Sequence, residues 1–172
     1  MKNRNSFTLI ELVLILLIGG IMAAMAITQG PDIQGVRSRQ AAYKIKSDLR
    51  YAQSYELVSR KRTRVAFDTD NESYSIYYEQ TAGNNDWTLA VNPLTKNNFT
   101  VDFTQLEFSN VDIVSVNFEG TGLDLVFDSS TPYSYNSGTQ VATQLTSEGI
   151  ISLSDSMSVT VEPNTGKVSV DG

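Results

Sequence analysis

From Phe7 to Ile27 the chain reads FTLIELVLILLIGGIMAAMAI, a run that carries a single charge, Glu11. It is apolar on every face rather than along one stripe, so a helix built on it has no side to offer to water and fits the hydrocarbon of a bilayer. At 1.5 Å per residue it reaches about 30 Å, the thickness of that layer. Lys2 and Arg4 precede the run, which holds the short N-terminus in the cytoplasm and sends the remainder across. Two other readings fit the same residues. One is a buried core helix. The other is a secretory signal, with Lys2 and Arg4 as its basic start, Leu12–Ile18 as its apolar centre and Ala24-Met25-Ala26 as its cleavage site. That signal would release a secreted β-domain beginning at Ile27. Glu11 weighs against a disposable signal, because a carboxylate in hydrocarbon costs a few kcal/mol and a segment made for removal gains nothing from it.

Chemistry is constrained by what is missing. The 172 residues include no cysteine and no histidine. Disulfides, thiolate metal sites, cysteine nucleophiles, the commonest general base and the commonest zinc ligand are therefore excluded together. The serines and Lys44 or Lys46 show no spacing that builds a Ser–Lys hydrolase. The expectation is a chain that is not an enzyme and takes no cofactor or metal.

The net charge of −6 conceals an asymmetry. Residues 1–64 hold eleven of the thirteen Lys and Arg against four acids, a surplus of seven positive charges. Residues 65–172 hold Lys96 and Lys167 against fifteen acids, a surplus of thirteen negative charges. Such an acidic region repels a phosphate backbone and makes nucleic acid a poor partner.

Beyond the apolar run, Gly30-Pro31 predicts a kink, or a renewed helix with Pro31 in its first turn. Helical spacing resumes by Val36 and lasts to about Ser59. Ala42, Ile45, Leu49 and Ala52 form one narrow apolar face, expected to pack on the C-terminal domain, and Arg37, Arg39, Lys44, Lys46 and Arg50 cover the rest. The basic run Arg60-Lys61-Arg62-Thr63-Arg64 ends this helix, where cations suit the dipole. It could also meet acidic faces of neighbouring subunits, anionic lipid or nucleic acid. The period then changes to two. Val65–Phe67 and Tyr74–Tyr78 predict a hairpin around Asp68–Glu72, followed by strands at Phe99–Phe103, Val111–Phe118, Leu123–Phe127, Ile150–Leu153, Met157–Val161 and Lys167–Val170. Pro163–Gly166 supplies the last turn, and Gly83–Asp86 and Ser134–Gly138 read as polar loops. The fold class expected is α+β: a long N-terminal helix, transmembrane in its first half and amphipathic in its second, packed on antiparallel sheets.

Ser6-Phe7-Thr8-Leu9-Ile10-Glu11, after a short basic leader and before an apolar stretch, resembles the signal of type IV prepilins and type II secretion pseudopilins. The resemblance implies a pilin-like fold, cleavage by a prepilin peptidase between Ser6 and Phe7, methylation of Phe7 and an assembly role for Glu11. Ser6 stands where that family usually has glycine; both are small. The physical case for Glu11 is that a cleaved N-terminal amine, buried among apolar helices of a filament, needs a carboxylate on a neighbouring helix. Ser47-Asp48-Leu49-Arg50-Tyr51-Ala52, the basic turn into Val65-Ala66-Phe67, and the ending Val159-Thr160-Val161 with Thr165-Gly166-Lys167-Val168 are similar to the GspH/FimT family of minor pseudopilins and minor pilins. Residues 80–145 match only in β character.

The resemblance divides the chain into a leader at 1–6, a transmembrane helix at 7–27, a periplasmic amphipathic helix at 28–62 and a periplasmic β-rich domain at 63–172. It implies a single-pass inner-membrane protein whose partners are other pilin-like subunits, prepilin peptidase and inner-membrane lipid. A GspH-like minor pseudopilin, at or near the tip of a type II secretion pseudopilus, is the leading expectation, with a FimT-like minor pilin of a type IV pilus as the alternative. Asp68-Thr69-Asp70-Asn71-Glu72 alternates oxygen ligands as a calcium loop does, but these are also ordinary turn residues, and the glycine and distant glutamate of an EF-hand are missing. Trp87 and the pairs Tyr77-Tyr78 and Tyr133/Tyr135 read as sheet aromatics.

Overall fold

In the computed structural model the described residues are 8–28, 33–105, 108–119 and 122–172, with side chains described for 8–22 and from Gln34 onward. They fall into two compact units, one running to Ile33 and the other from Gln34 to Gly172.

The first unit holds α1, Leu9–Thr28. Thr8 starts it: its carbonyl accepts the Glu11 and Leu12 N–H groups at 3.1 and 3.2 Å. Every side chain described on α1 is exposed. Among the described residues no helix is long and apolar enough to cross a membrane. Leu9–Met22, the part of α1 with described side chains, makes about 21 Å of helix against the roughly 30 Å of a bilayer core, so a span over 7–27 rests on the sequence. Gly30 and Pro31, where the sequence predicts a break, lie outside the described residues.

The second unit begins with α2, Ile33–Ser59. Ala42, Ile45, Leu49 and Ala52, three or four residues apart, are fully buried with Ala41 beside them and form the helical side of one apolar core. The packing expected of this face on the β-rich region is what the structure shows. Eleven strands follow: β1 (Thr63–Asp68), β2 (Ser73–Glu79), β3 (Trp87–Leu89), β4 (Thr100–Asp102), β5 (Ile113–Asn117), β6 (Asp124–Asp128), β7 (Thr131–Asn136), β8 (Val141–Gln144), β9 (Gly149–Leu153), β10 (Ser158–Val161) and β11 (Val168–Asp171). They build a seven-stranded sheet in the order β3-β2-β1-β6-β7-β8, with β4 also pairing β2, and a four-stranded sheet in the order β11-β10-β9-β5. All pairings are antiparallel. Alternation sends Val65, Phe67, Tyr74, Ile76, Leu125 and Phe127 of the larger sheet into the core with Ile151, Val159, Val161 and Val168 of the smaller one. This is the expected α+β class, a helix packed on antiparallel sheets.

The structure corrects the expectation at three places. Residues 134–136, read as part of a polar loop, belong to β7. Trp87–Leu89 and Val141–Gln144, read as no element, are strands β3 and β8. β7 escaped because the side chains it buries are Pro132, a residue that reads as a strand breaker, and Ser134 and Tyr135, which are polar or amphipathic. β8 is a short edge strand, mostly exposed, where hydrophobic alternation has no core to serve.

Candidate functional site

Ser6 and Phe7 lie outside the described residues. Glu11 stands in the first turn of α1, exposed. Its N–H also faces Thr8 Oγ1 at 3.4 Å, long for such a bond. Thr8-Leu9-Ile10-Glu11 thus has the spacing of a helix-starting capping box, in which a threonine side chain serves the N–H three residues on. That second use of Glu11 was legible in the sequence and missed. Among the described residues the Glu11 carboxylate has no hydrogen-bond or ion-pair partner.

The basic run after α2 is largely consumed within the fold. Arg60 makes the turn with a positive φ of 55°; Arg62 just before β1 and Arg64 within it stand two residues apart. Arg62 grips Glu79 of β2 with two nitrogens, Nε reaching Oε2 at 2.7 Å and Nη2 reaching Oε1. The Asn85 N–H adds a bond to Glu79 at 2.8 Å. Burial pushes the Glu79 carboxyl up, but the bonds from Arg62, Asn85 and Gly83 outweigh it and hold it below the ordinary glutamate value. Arg64 lies over Tyr77 at 4.6 Å, Trp87 at 5.1 Å and Tyr135 at 5.5 Å, with Asp124 at 3.6 Å. Burial raises the Asp124 carboxyl to about 6, with Arg64 acting against the rise.

This cluster requires a strongly curled sheet. β3 and β7 are four strands apart, about 19 Å if the sheet were flat, yet Trp87 Nε1 donates to Tyr135 Oη at 3.1 Å. The curl encloses a second layer on the face away from α2: Val126 and Tyr135 are buried there but stand apart from the main core. Two arginines and two carboxylates balance within it, and the arginines stack on aromatic faces.

The segments that resemble GspH/FimT motifs hold α2 to the sheets. Asp48 is buried and accepts the Tyr74 hydroxyl at 2.6 Å and Lys44 Nζ at 2.6 and 2.8 Å. Burial, followed by the Asp48 charge, pushes the Tyr74 hydroxyl well above its ordinary range. Near the C-terminal end of α2, Glu56 accepts the Ser129 and Ser130 N–H groups at 3.0 and 3.1 Å. Those two residues make the β6–β7 turn with φ of 50° and 68°, a conformation that serine disfavours, so the buried carboxylate pins a strained hairpin tip. Gly166, at φ 63°, takes a backbone conformation that favours glycine, and a Cβ there would also press on the Ser130 carbonyl at 3.1 Å.

In the Asp68–Glu72 turn, the Asp68 carboxylate accepts the N–H groups of Asp70 and Asn71 and the Asn71 side chain, which lowers its pKa, the side-chain bond most. Glu72 turns away to accept the Ile113 N–H. These oxygens serve a turn. Among the described residues no group of acidic side chains is arranged to hold a metal ion.

The comparisons with known proteins bear on the head of the chain. Residues 1–27 match the family described as prokaryotic N-terminal methylation motif. No curated protein matches the chain. Among solved structures it is similar to the minor pseudopilin EpsH from the Type 2 Secretion System of Vibrio cholerae, at 14% identity and a TM-score of 0.49, over 79% of this chain and 97% of that one. The segment that contains Ser6, Phe7 and Glu11 is therefore a prokaryotic N-terminal methylation motif.

Proposed function

We propose that the chain is a pilin-like structural subunit, a GspH-like minor pseudopilin of type II secretion. A single span anchors it in the inner membrane, with its β-rich domain in the periplasm. Prepilin peptidase cuts between Ser6 and Phe7 and methylates Phe7. The processed subunit then joins other pilin-like subunits at or near a filament tip, where Glu11 neutralises the amine of a neighbour. The observation that carries this reading is the methylation motif over residues 1–27, continuous with an apolar helix whose one charged residue is Glu11. The fold supports it too: an amphipathic α2 docked on antiparallel sheets, with its carboxylates spent on structure.

The test is co-expression with a prepilin peptidase and intact-mass measurement of the product. Mass beginning at Phe7, with one added methyl, is expected. A product beginning at Ile27 would instead establish removal by signal peptidase and a secreted β-domain.

A further inference from the structure

The solvent side of α2 has a use that neither the core nor the N-terminal motif explains. Arg39, Tyr43, Lys46 and Arg50 follow one another at three- and four-residue spacing, a stripe about 16 Å long. Arg39, Tyr43 and Arg50 are exposed, and Tyr43, Lys46, Ser47 and Arg50 line a shallow depression of about 380 Å³. Among the described residues Arg39 and Arg50 have no hydrogen-bond or ion-pair partner, and Lys46 lies only over the Tyr43 ring at 5.9 Å. Four other cations of the second unit are paired with acids of the same chain: Lys44 with Asp48, Arg62 with Glu79, Arg64 with Asp124 and Lys167 with Glu162. The stripe is positive charge left over.

The complementary charge lies elsewhere on the same unit. Glu72 accepts the Ile113 N–H, and β2 pairs Ser73 with Asp102, so the β1–β2 turn, the end of β4 and the start of β5 meet at one corner. That corner gathers Asp68, Asp70, Asp102 and Asp112. Asp68 and Asp102 cap local turns. Asp70 and Asp112 are exposed, and among the described residues their carboxylates have no partner. Arg37, bonded to Ser109, is the cation held near them.

From this charge complementarity we infer that the α2 stripe docks on the acidic corner of a second copy of this chain. Donor and acceptor surfaces differ, so the contact is heterologous and does not close as a symmetric pair. Exposed charges steer such a contact and set its register, and salt weakens it. Only the placing of this contact in a filament rests on the pilin-like reading. The contact itself requires no N-terminal processing.

The test uses unprocessed full-length chain in non-ionic detergent micelles, with energy transfer between two labelled populations. Association should weaken on the order of tenfold as the Debye length falls from about 30 to about 3 Å. Arg39→Glu/Lys46→Glu/Arg50→Glu and Asp70→Lys/Asp112→Lys should each lose self-association to a similar degree, and the two reversed chains, once mixed, should regain it. No recovery on mixing would overturn the inference. So would stripe reversal that abolishes flotation with phosphatidylglycerol vesicles while chain–chain association persists, which would make the stripe a lipid surface. Should a reversed chain misfold, a photocrosslinker at Tyr43 in the otherwise unaltered chain decides. Crosslinks to residues 68–72 or 111–113 of another copy support the contact, and crosslinks to detergent alone reject it. Because no arm reads cleavage, failure here is separable from failure of the processing experiment.

Discussion

The two helices invert the usual relation between hydrophobicity and burial. α1 has one charged residue in its twenty, and every side chain described on it is exposed. α2 carries Arg37, Arg39, Lys44, Lys46, Asp48, Arg50 and Glu56, yet it buries Ala41, Ala42, Ile45, Leu49 and Ala52 completely. Spacing makes the difference. α2 gathers Ala42, Ile45, Leu49 and Ala52 on one side, which the sheets cover, and its buried carboxylates Asp48 and Glu56 tie its middle and its C-terminal end to them. α1 is apolar all round, and the proposed function gives it lipid or the helices of other subunits as partners. One helix is specified by this fold, the other by what the fold joins.

The sharpest way to break this comparison is truncation of one side chain on each helix. Leu49→Ala should lower unfolding stability by about 2–5 kcal/mol, read from the denaturant midpoint of the β-rich unit in detergent, because the site is closed on all sides. Leu14→Ala on exposed α1 should leave that midpoint unmoved. Equal losses would mean that α1 belongs to the same core.

Glu56→Ala tests whether α2 is fixed by polar pins as well as by its apolar face. It removes the acceptor from two N–H groups in a strained turn, and a loss of about 1–3 kcal/mol is expected in the same assay. Glu56→Gln should recover part of it.

The smallest effect belongs to the outer layer. Asp124 is raised from 3.8 to about 6, so the fold favours its neutral form and binds a proton that the unfolded chain has released. Stability should therefore rise as pH falls through 6 towards 3.8, by about 1 kcal/mol between roughly pH 7.5 and pH 5. Asp124→Asn should flatten that part of the profile. Titration of the midpoint with pH in both chains decides it, and a fall in stability over this range would mean that the Arg64 pair outweighs the burial.

How much of this was legible in the sequence follows from what each residue faces. Ala42, Ile45, Leu49 and Ala52 announced their face because they meet an apolar core at helical spacing, and β1, β2, β9 and β10 alternate for the same reason, while β6 shows as a short apolar run because both its faces are covered. β3 and β7 did not, because Trp87 and Tyr135 turn toward a layer of arginines and carboxylates whose existence depends on the curl of the sheet. For that reason also, Arg62 and Arg64 read as a solvated or partner-binding run when they are internal. No local pattern foretells that Trp87 meets Tyr135 across four strands. Gly166 was visible as part of a turn motif, but its close neighbour Gln53 belongs to a distant helix. At the head of the chain the motif itself was legible, as was the capping-box spacing of Thr8 and Glu11.

The central claim is that α1 is completed by other subunits, and Glu11 tests it most directly. Both Glu11→Ala and Glu11→Gln should insert in the membrane at least as well as the native chain, since each removes an intramembrane carboxylate. Both should also be cleaved between Ser6 and Phe7. Incorporation is what should fail: with no carboxylate to meet it, a neighbour's buried amine stays unpaired at a cost of roughly several kcal/mol. Glutamine keeps the size and hydrogen-bonding capacity needed to start the helix beside Thr8, so it separates pairing from capping. The measurement is cross-linking of the processed chains to the other pilin-like subunits at equal membrane abundance. The account predicts that both variants lose most of the cross-linked product. Undiminished cross-linking by Glu11→Gln would contradict it and leave Glu11 as a helix-starting residue.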